Sequence, residues 1–259
     1  MLTLFEVDVA QPPGYRPLSL DLRVPAECAA APVVVFLHGG GWLRGSRKVF
    51  TPGITPEASF DRIVAAGFAV ASCEYRLSGE ATFPAQLDDV DAAIAWLHEK
   101  AAVHGVDASR IVLWGVSAGA TLAALTGLRR TDVCGVVDWF GPTDMLAMAA
   151  AQAMGEDAGA TREAQWLGGP VAGRPDHARA ASPLSHVHAD APPFHIAHGT
   201  ADKHVPISQS EALTEALRAA GAEVEFHTEV GGQHFWQGAD DTGPLFDRAI
   251  DFIRRVTAL

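Results

Sequence analysis

The chain has 259 residues, of which 48% are hydrophobic and 19% are charged, and its formal net charge at pH 7 is −12. The apolar content is sufficient for a large buried core, which argues against intrinsic disorder. The excess of acidic residues argues against a surface that binds nucleic acid or anionic lipid. No apolar stretch approaches about 18 uninterrupted residues and the first residues lack a basic segment, so we expect a cytoplasmic protein without a membrane span or signal peptide.

The first two segments predict an antiparallel entry into a sheet. Residues 2–10 and 16–24 alternate apolar and polar side chains, and the sequence QPPGY between them is typical of a turn. Six later segments are short and largely apolar, a pattern that favours strands covered on both faces of a parallel sheet. They are VVVFLH (33–38), FAVASCEY (68–75), RIVLWG (110–115), CGVVDWFG (134–141), FHIAHG (194–199) and EVEFHTEV (223–230).

Helical patterns lie between these predicted strands. They cover residues 55–67, 83–105, 117–130, 207–221 and 241–256. The alternation predicts an α/β fold with a doubly wound, mostly parallel sheet of about eight strands, and we expect one domain over residues 1–259. Residues 143–191 form too long a connection for an ordinary crossover, so we predict a small helical cap insertion there.

Four unusual loops follow predicted strands, and together they predict a site. They are HGGGW (38–42), GVSAG (115–119), TADKHVP (200–206) and GGQHF (231–235). In an open α/β sheet the ligands bind beyond the carboxyl ends of the strands, so these loops are expected to converge on one rim.

Ser117 is the predicted nucleophile of this site. A Gly-x-Ser-x-Gly turn between an apolar strand and a helix holds its serine on a tight, strained corner with the hydroxyl exposed. Glycines are required on both sides because strand and helix approach too closely there for a Cβ. A serine that merely fills a turn would not need this context.

A serine hydroxyl needs a base to become nucleophilic at neutral pH, and the base needs an acid to orient it. His234 follows the last predicted strand, and Asp202 precedes it in the chain, which gives the order Ser, Asp, His that this architecture requires. His204 is the main rival base and Asp144 the main rival acid. His186 and His188 form an HxH pair that lacks a convincing third metal ligand, so we expect neither a metal nor a cofactor.

The glycine run after His38 predicts an oxyanion-binding site. Attack on an ester carbonyl places negative charge on its oxygen, and this site would stabilise that charge. Backbone N–H groups of Gly40 and Gly41 can turn inward because no side chain blocks their approach, and Ala118 N–H would complete the donors. The run lacks the Gly-Lys-Ser/Thr ending of a P-loop and the spacing of a dinucleotide site. Trp42 ends the glycine loop HGGGW, and Trp236 directly follows the loop GGQHF that carries His234. Both are expected to line the substrate pocket, although simple packing is an equally common role for an aromatic residue beside a loop.

These motifs give the chain a resemblance to the α/β-hydrolase esterases and lipases. HGGGW, EYRLSGEATFPAQLDDV (74–90), GVSAG, HGTADKHVP (198–206) and GGQHF resemble the branch that includes hormone-sensitive-lipase-like carboxylesterases. WFGPTD (139–144) and ASPLSHV (181–187) resemble the bacterial feruloyl- and xylan-acetyl-esterase-like group. The resemblance implies the α/β-hydrolase fold, Ser117, Asp202 and His234 as catalytic triad, and Gly40, Gly41 and Ala118 as oxyanion donors.

The chain departs from the resemblance at two positions near the triad. Val116 stands where many relatives carry an acidic residue or histidine, and Phe235 replaces a glycine that often follows the catalytic histidine. The expected function is hydrolysis of small carboxylic esters, with short acyl chains favoured because the predicted cap is small. An aryl-formamidase and an inactive ligand-binding scaffold are the alternatives, and homo-oligomerisation is left open.

Overall fold

The structure is a computed structural model that describes residues 1–26, 28–152 and 159–259. Within these ranges eight strands form one sheet. The strands are β1 (Leu2–Ala10), β2 (Leu18–Val24), β3 (Ala31–Leu37), β4 (Ala69–Cys73), β5 (Val106–Val116), β6 (Val133–Trp139), β7 (Phe194–Gly199) and β8 (Val224–Glu229).

The strand order is β1-β2-β4-β3-β5-β6-β7-β8. From β4 to β8 all neighbours pair in parallel, whereas β1 pairs with β2 and β2 with β4 in antiparallel register. The predicted α/β-hydrolase sheet of about eight mostly parallel strands is therefore confirmed, together with its antiparallel entry.

Eight described α-helices connect or follow the strands. They are α1 (Phe60–Ala65), α2 (Ala85–Lys100), α3 (Ala118–Arg129), α4 (Met145–Gln152), α5 (Arg162–Leu167), α6 (Pro175–Ala180), α7 (Ser208–Ala220) and α8 (Gly243–Thr257). Helices α4, α5 and α6 fall in the predicted cap insertion, and residues 153–158 of that insertion lie outside the described residues. None of the described helices is both long and apolar enough to cross a membrane.

The central strands bury both faces, which explains their continuous apolar runs. In β3, Val33, Val35 and Leu37 join one hydrophobic cluster, while Val34 and Phe36 join the other. The first cluster includes side chains of α2, α3 and α7, and the second includes side chains of α1 and α8. This alternation follows from the two-residue period of a strand.

The strand order places the candidate loops on one rim. After β3 the chain turns to β4 on one side and then returns to β5 on the other side of β3, so the order reverses between β3 and β5. Such a reversal opens a crevice at the carboxyl ends of the two strands. The glycine loop follows β3 and Ser117 follows β5, while Asp202 and His234 follow β7 and β8.

Asp138 on β6 is a fully buried carboxyl group whose ionisation opposes folding. Its Oδ1 accepts a hydrogen bond from Gly141 N at 2.9 Å, whereas its Oδ2 has no partner among the described residues. Burial raises the pKa of Asp138 to about 6, against the opposing effects of the Gly141 N–H and His198. Asp138 therefore stays protonated to a higher pH in the folded protein than in the unfolded chain.

We predict that the free energy of unfolding of the native protein falls as the pH rises through the range in which Asp138 ionises. This fall should be absent in Asp138→Asn, which cannot ionise. An unfolded aspartate ionises near pH 3.9. The stability contributed by protonated Asp138 is therefore lost as the pH rises from about 4 to about 6. The expected loss in the free energy of unfolding is about 3 kcal/mol. Chemical denaturation from pH 4 to pH 8 measures this. Asp251→Asn, at an exposed position of α8, is the control, and parallel pH curves for Asp138→Asn and the native protein would contradict the prediction.

Candidate active site

Ser117 occupies the turn between β5 and α3 in a strained backbone conformation. Its φ is 54° and its ψ is −124°, a region that non-glycine residues rarely occupy. Such strain costs about 1–3 kcal/mol and persists only where the surroundings enforce it. Here the Ser117 N–H donates to Trp139 O on β6 at 2.9 Å, which fixes the turn against the neighbouring strand.

The glycines on either side of Ser117 are required by close backbone contacts. A Cβ on Gly115 would lie 2.2 Å from Gly119 O, and one on Gly119 would lie 2.1 Å from Leu37 O. Helix α3 thus begins in direct contact with the end of β3, and only glycine fits at these two positions.

Three side chains from separate loops form one hydrogen-bonded chain. Ser117 Oγ lies 2.9 Å from His234 Nε2, and His234 Nδ1 lies 2.6 Å from Asp202 Oδ2. The Asp202 side chain has no exposed surface, and Ser117 and His234 are buried as residues. Because the carboxylate can only accept, His234 Nδ1 carries the proton and Nε2 is free to accept from the serine hydroxyl.

Buried His198 is a partner of Asp202 that the sequence analysis missed. Its Nε2 lies 3.0 Å from Val205 O and 3.3 Å from Asp202 Oδ2, and both are acceptors, so Nε2 carries a proton. Asp202 Oδ1 accepts from His204 N at 2.8 Å and Val205 N at 3.0 Å. Burial opposes ionisation of Asp202, but the hydrogen bonds of His198 and His234 outweigh it and hold its pKa below the usual range.

His234 is kept neutral by its surroundings. Burial lowers its pKa, with smaller contributions in the same direction from His204 and His198, whereas Asp202 opposes this shift. A neutral imidazole at physiological pH is the form that can accept a proton.

The two rival residues have other roles in the described structure. His204 donates its backbone N–H to Asp202 and its exposed ring lies 5.3 Å from that of His234, while the hydrogen-bond partner of Ser117 Oγ is His234. Asp144 Oδ1 accepts from Leu146 N at 2.9 Å and from Ala147 N at 3.1 Å. Asp144 therefore caps the start of α4 rather than orienting a histidine.

The glycine loop after β3 is held by buried aromatic contacts. The His38 ring stacks on Tyr75 with centroids 4.3 Å apart, and Tyr75 OH donates to His38 O at 2.8 Å. Burial lowers the pKa of His38 to about 4, so the ring is neutral. Gly40 and Gly41 both have positive φ, at 124° and 63°, so their conformations favour glycine.

Ser117 lies between two cavities. The larger, of about 430 Å³, is lined by Gly41, Trp42 and Ala118 of the predicted site and by Met148, Arg162 and Glu163 of the cap insertion. The smaller, of about 240 Å³, is lined by Gly40 and Gly41, by the apolar side chains of Val49, Phe50, Pro52 and Phe235, and by Arg44 and Arg162. The described part of the insertion therefore supplies a wall of the larger cavity.

The two tryptophans expected in the pocket lie in different places. Trp42 lines the larger cavity and stacks on Trp166 of α5, with ring centroids 4.1 Å apart. Trp236 instead packs against Trp139 and Phe140 in the hydrophobic cluster below the rim, and it is not among the described residues that line either cavity. Trp236 also has a left-handed backbone conformation, with a φ of 61°, and position in the sequence does not reveal that its side chain is buried.

The two departures from the family pattern have structural explanations. Val116 is fully buried in the same cluster as Trp139, so an apolar residue satisfies that position. Phe235 has a φ of 61°, the left-handed conformation that glycine adopts most easily. Its ring lies 4.3 Å from that of His234 and lines the smaller cavity, which gives this residue a packing role that glycine lacks.

The HxH pair of the insertion is engaged by carbonyl groups. His186 Nε2 lies 2.9 Å from Ala180 O, and His188 Nε2 lies 2.9 Å from Leu128 O. Among the described residues, one group has metal-ligand chemistry, namely His195, Glu225 and His227 on β7 and β8. There the Arg255 guanidinium lies 3.5 Å from Glu225 Oε2, so this carboxylate is already paired with a cation of the chain.

This sheet, with a strained serine at the turn after β5, has the architecture of the α/β hydrolases. The sequence matches the BD-FAE family over residues 20–217, so the chain belongs to that family. It is 35% identical over 241 residues to Esterase LipQ of Mycobacterium tuberculosis, covering 88% of this chain and 56% of that protein. It is 36% identical over 215 residues to Carboxylesterase NlhH of the same organism, covering 76% of this chain and 64% of that protein. The chain thus covers less than two thirds of the length of each of these relatives.

Solved structures share the whole fold. A truncated form of a carbohydrate esterase from gut microbiota superposes with a TM-score of 0.85 at 28% identity, covering 100% of this chain and 97% of that one. A thermophilic esterase from Thermogutta terrifontis superposes with a TM-score of 0.74 at 24% identity, covering 96% and 91%, which shows a common fold.

We predict that Gly119→Ala destabilises the protein, because its Cβ would meet the carbonyl of Leu37 at 2.1 Å. A clash with backbone cannot be relieved by a rotamer change, so the free energy of unfolding should fall by about 1–3 kcal/mol or more. Gly79→Ala is the matched control, because its Cβ would enter open space. Urea denaturation measures both variants, and equal stabilities would show that α3 and β3 can separate without cost.

Proposed function

We propose that this protein is a carboxylesterase that hydrolyses small esters through an acyl-enzyme on Ser117. The observation that carries the proposal is the hydrogen-bonded chain from Ser117 Oγ through His234 to Asp202. The esterase and carboxylesterase names of the relatives support the same reaction. An inactive scaffold would be expected to lack part of this chain, whereas all three side chains are in contact.

The first half-reaction follows from the protonation states. Ser117 Oγ attacks the ester carbonyl while His234 Nε2 accepts the hydroxyl proton, and Asp202 stabilises the resulting imidazolium. Backbone N–H groups of Gly40, Gly41 and Ala118 are proposed to hold the oxyanion. Gly40 and Gly41 N–H groups have no acceptor among the described residues, which leaves them available for this role. His234 then donates its proton to the departing alcohol.

The second half-reaction reverses these roles. Water gives a proton to His234 Nε2 and its oxygen attacks the acyl-enzyme, and the collapse of the intermediate returns the proton to Ser117. We assign the acyl group to the smaller cavity, because the apolar side chains that line part of it and its volume of about 240 Å³ suit a short chain. The alcohol part then occupies the larger cavity.

We expect Ser117→Ala to lower kcat/KM on 4-nitrophenyl acetate by about 10⁴-fold or more, because the covalent step requires the hydroxyl. Initial rates measured at equal enzyme concentration test this. Ser208→Ala, at an exposed position in the first turn of α7, is the matched control and should retain native rates. Retention of full activity by Ser117→Ala would exclude Ser117 as the nucleophile.

We further expect the acid limb of the kcat/KM profile to fall below the ordinary histidine pKa of about 6.5. The neutral form of His234 is the active base, and burial lowers its pKa, so activity should persist at pH 6.5 and decline at lower pH. Rates on 4-nitrophenyl acetate from pH 4.5 to pH 8.5 measure the midpoint.

The same profile separates the two candidate bases. The acid limb should persist in His204→Gln, since His204 contacts the triad through its backbone N–H. A midpoint above 6.5, or a limb that disappears in this variant, would contradict the assignment of His234.

A further inference from the structure

The cationic side chains around Ser117 differ from most others in the molecule. Most of the 19 arginine and lysine residues have a carboxylate of the described chain within 4.0 Å. Six have no such ion pair among the described residues: Arg44, Arg162, Arg174, Lys203, Arg218 and Arg248. Three of these, Arg44, Arg162 and Lys203, line the cavities beside Ser117. In a chain with a net charge of −12, half of these six cations thus lie beside Ser117.

Two of the three cations line the larger cavity. Arg162 begins α5 and lines both cavities, and its side chain lies against the glycine loop, since a Cβ on Gly41 would be 2.3 Å from Arg162 Cδ. Lys203 directly follows Asp202, whose carboxylate is fixed by several hydrogen bonds. Both cations are exposed, and they lie next to the glycine loop and the triad acid respectively.

In the part of its lining that the structure describes, the larger cavity has two cations, Arg162 and Lys203, against one acidic residue. Glu163 is the one carboxyl residue among the described residues that line the larger cavity, and no described residue of the smaller cavity is acidic. A guanidinium pairs with a carboxylate in bidentate geometry, and a nearby ammonium adds a second attraction. An otherwise acidic surface repels anions, so recognition of an anionic substrate would require such local cations.

Building on the proposed function, we propose that the larger cavity selects esters whose alcohol part carries a carboxylate, with Arg162 and Lys203 as the residues that bind it. The bond that is broken is the ester bond at Ser117, and the carboxylate is retained in the alcohol product. Arg162 and Lys203 thus determine specificity, while the triad performs the reaction.

The test compares 4-acetoxybenzoate with its neutral analogue 4-acetoxybenzamide. The measured quantity is the ratio of their kcat/KM values, in which differences in folding and in the general activity of a variant cancel. We expect Arg162→Met and Lys203→Met each to lower this ratio about five- to tenfold, while Arg162→Lys, which keeps the charge but loses the bidentate geometry, lowers it less. The native ratio should also fall as salt is raised from 0.05 M to 0.5 M, because exposed charges are screened.

Arg218→Met is the matched control, since Arg218 is exposed in the last turn of α7 and lines neither cavity. Its ratio should equal the native one. If the native protein hydrolyses both esters and the ratio is unchanged in Arg162→Met and Lys203→Met, the specificity inference is overturned while the esterase function stands. If neither ester is hydrolysed while 4-nitrophenyl acetate is, the specificity inference is overturned and the esterase function stands, whereas failure on all three esters overturns both proposals. Arg44→Met is measured in parallel, because Arg44 lines only the smaller cavity, and a ratio that falls in this variant alone would overturn the assignment to the larger cavity.

Discussion

The site depends on the contact between the start of helix α3 and the end of strand β3. Gly119 permits this contact, since a Cβ there would lie 2.1 Å from Leu37 O, and Gly115 permits the close return of α3 onto the end of β5, since a Cβ there would lie 2.2 Å from Gly119 O. The short turn that results leaves Ser117 in a positive-φ conformation. The surrounding sheet supplies the energy that maintains this strain, because Ser117 N–H is bound to β6 and α3 is packed within a continuous core.

The remaining parts of the site are arranged around this fixed hydroxyl. Strands β7 and β8 pair in parallel, so the loops that follow them bring Asp202 and His234 together from positions 32 residues apart. His198 then supports Asp202 from inside the core, so that the carboxylate has fixed hydrogen-bond donors on both oxygens. A buried, ionised carboxylate requires such donors, because burial without them would favour its neutral form.

Charge is distributed unevenly in this acidic molecule. Arginines on the surface are mostly paired with carboxylates, whereas cations beside Ser117 are not. Below the rim, the buried aromatic side chains of Trp139, Phe140 and Trp236 pack together in the hydrophobic cluster that also contains side chains of α1 and α8. They form an apolar floor beneath His234. The site therefore combines an apolar floor with a cationic mouth, an arrangement that strengthens electrostatic interactions near the nucleophile.

The sequence by itself determined the strand and helix alternation, the doubly wound sheet and the four loops on its rim, because apolar periodicity and glycine positions are local properties. It also predicted which serine, histidine and aspartate would lie in those loops. Only the tertiary structure decided that Trp236 turns into the core, that His198 supports Asp202, and that Arg162 of the insertion lies beside Gly41. These contacts join residues through backbone direction and packing between distant segments, and no local pattern of residues encodes them.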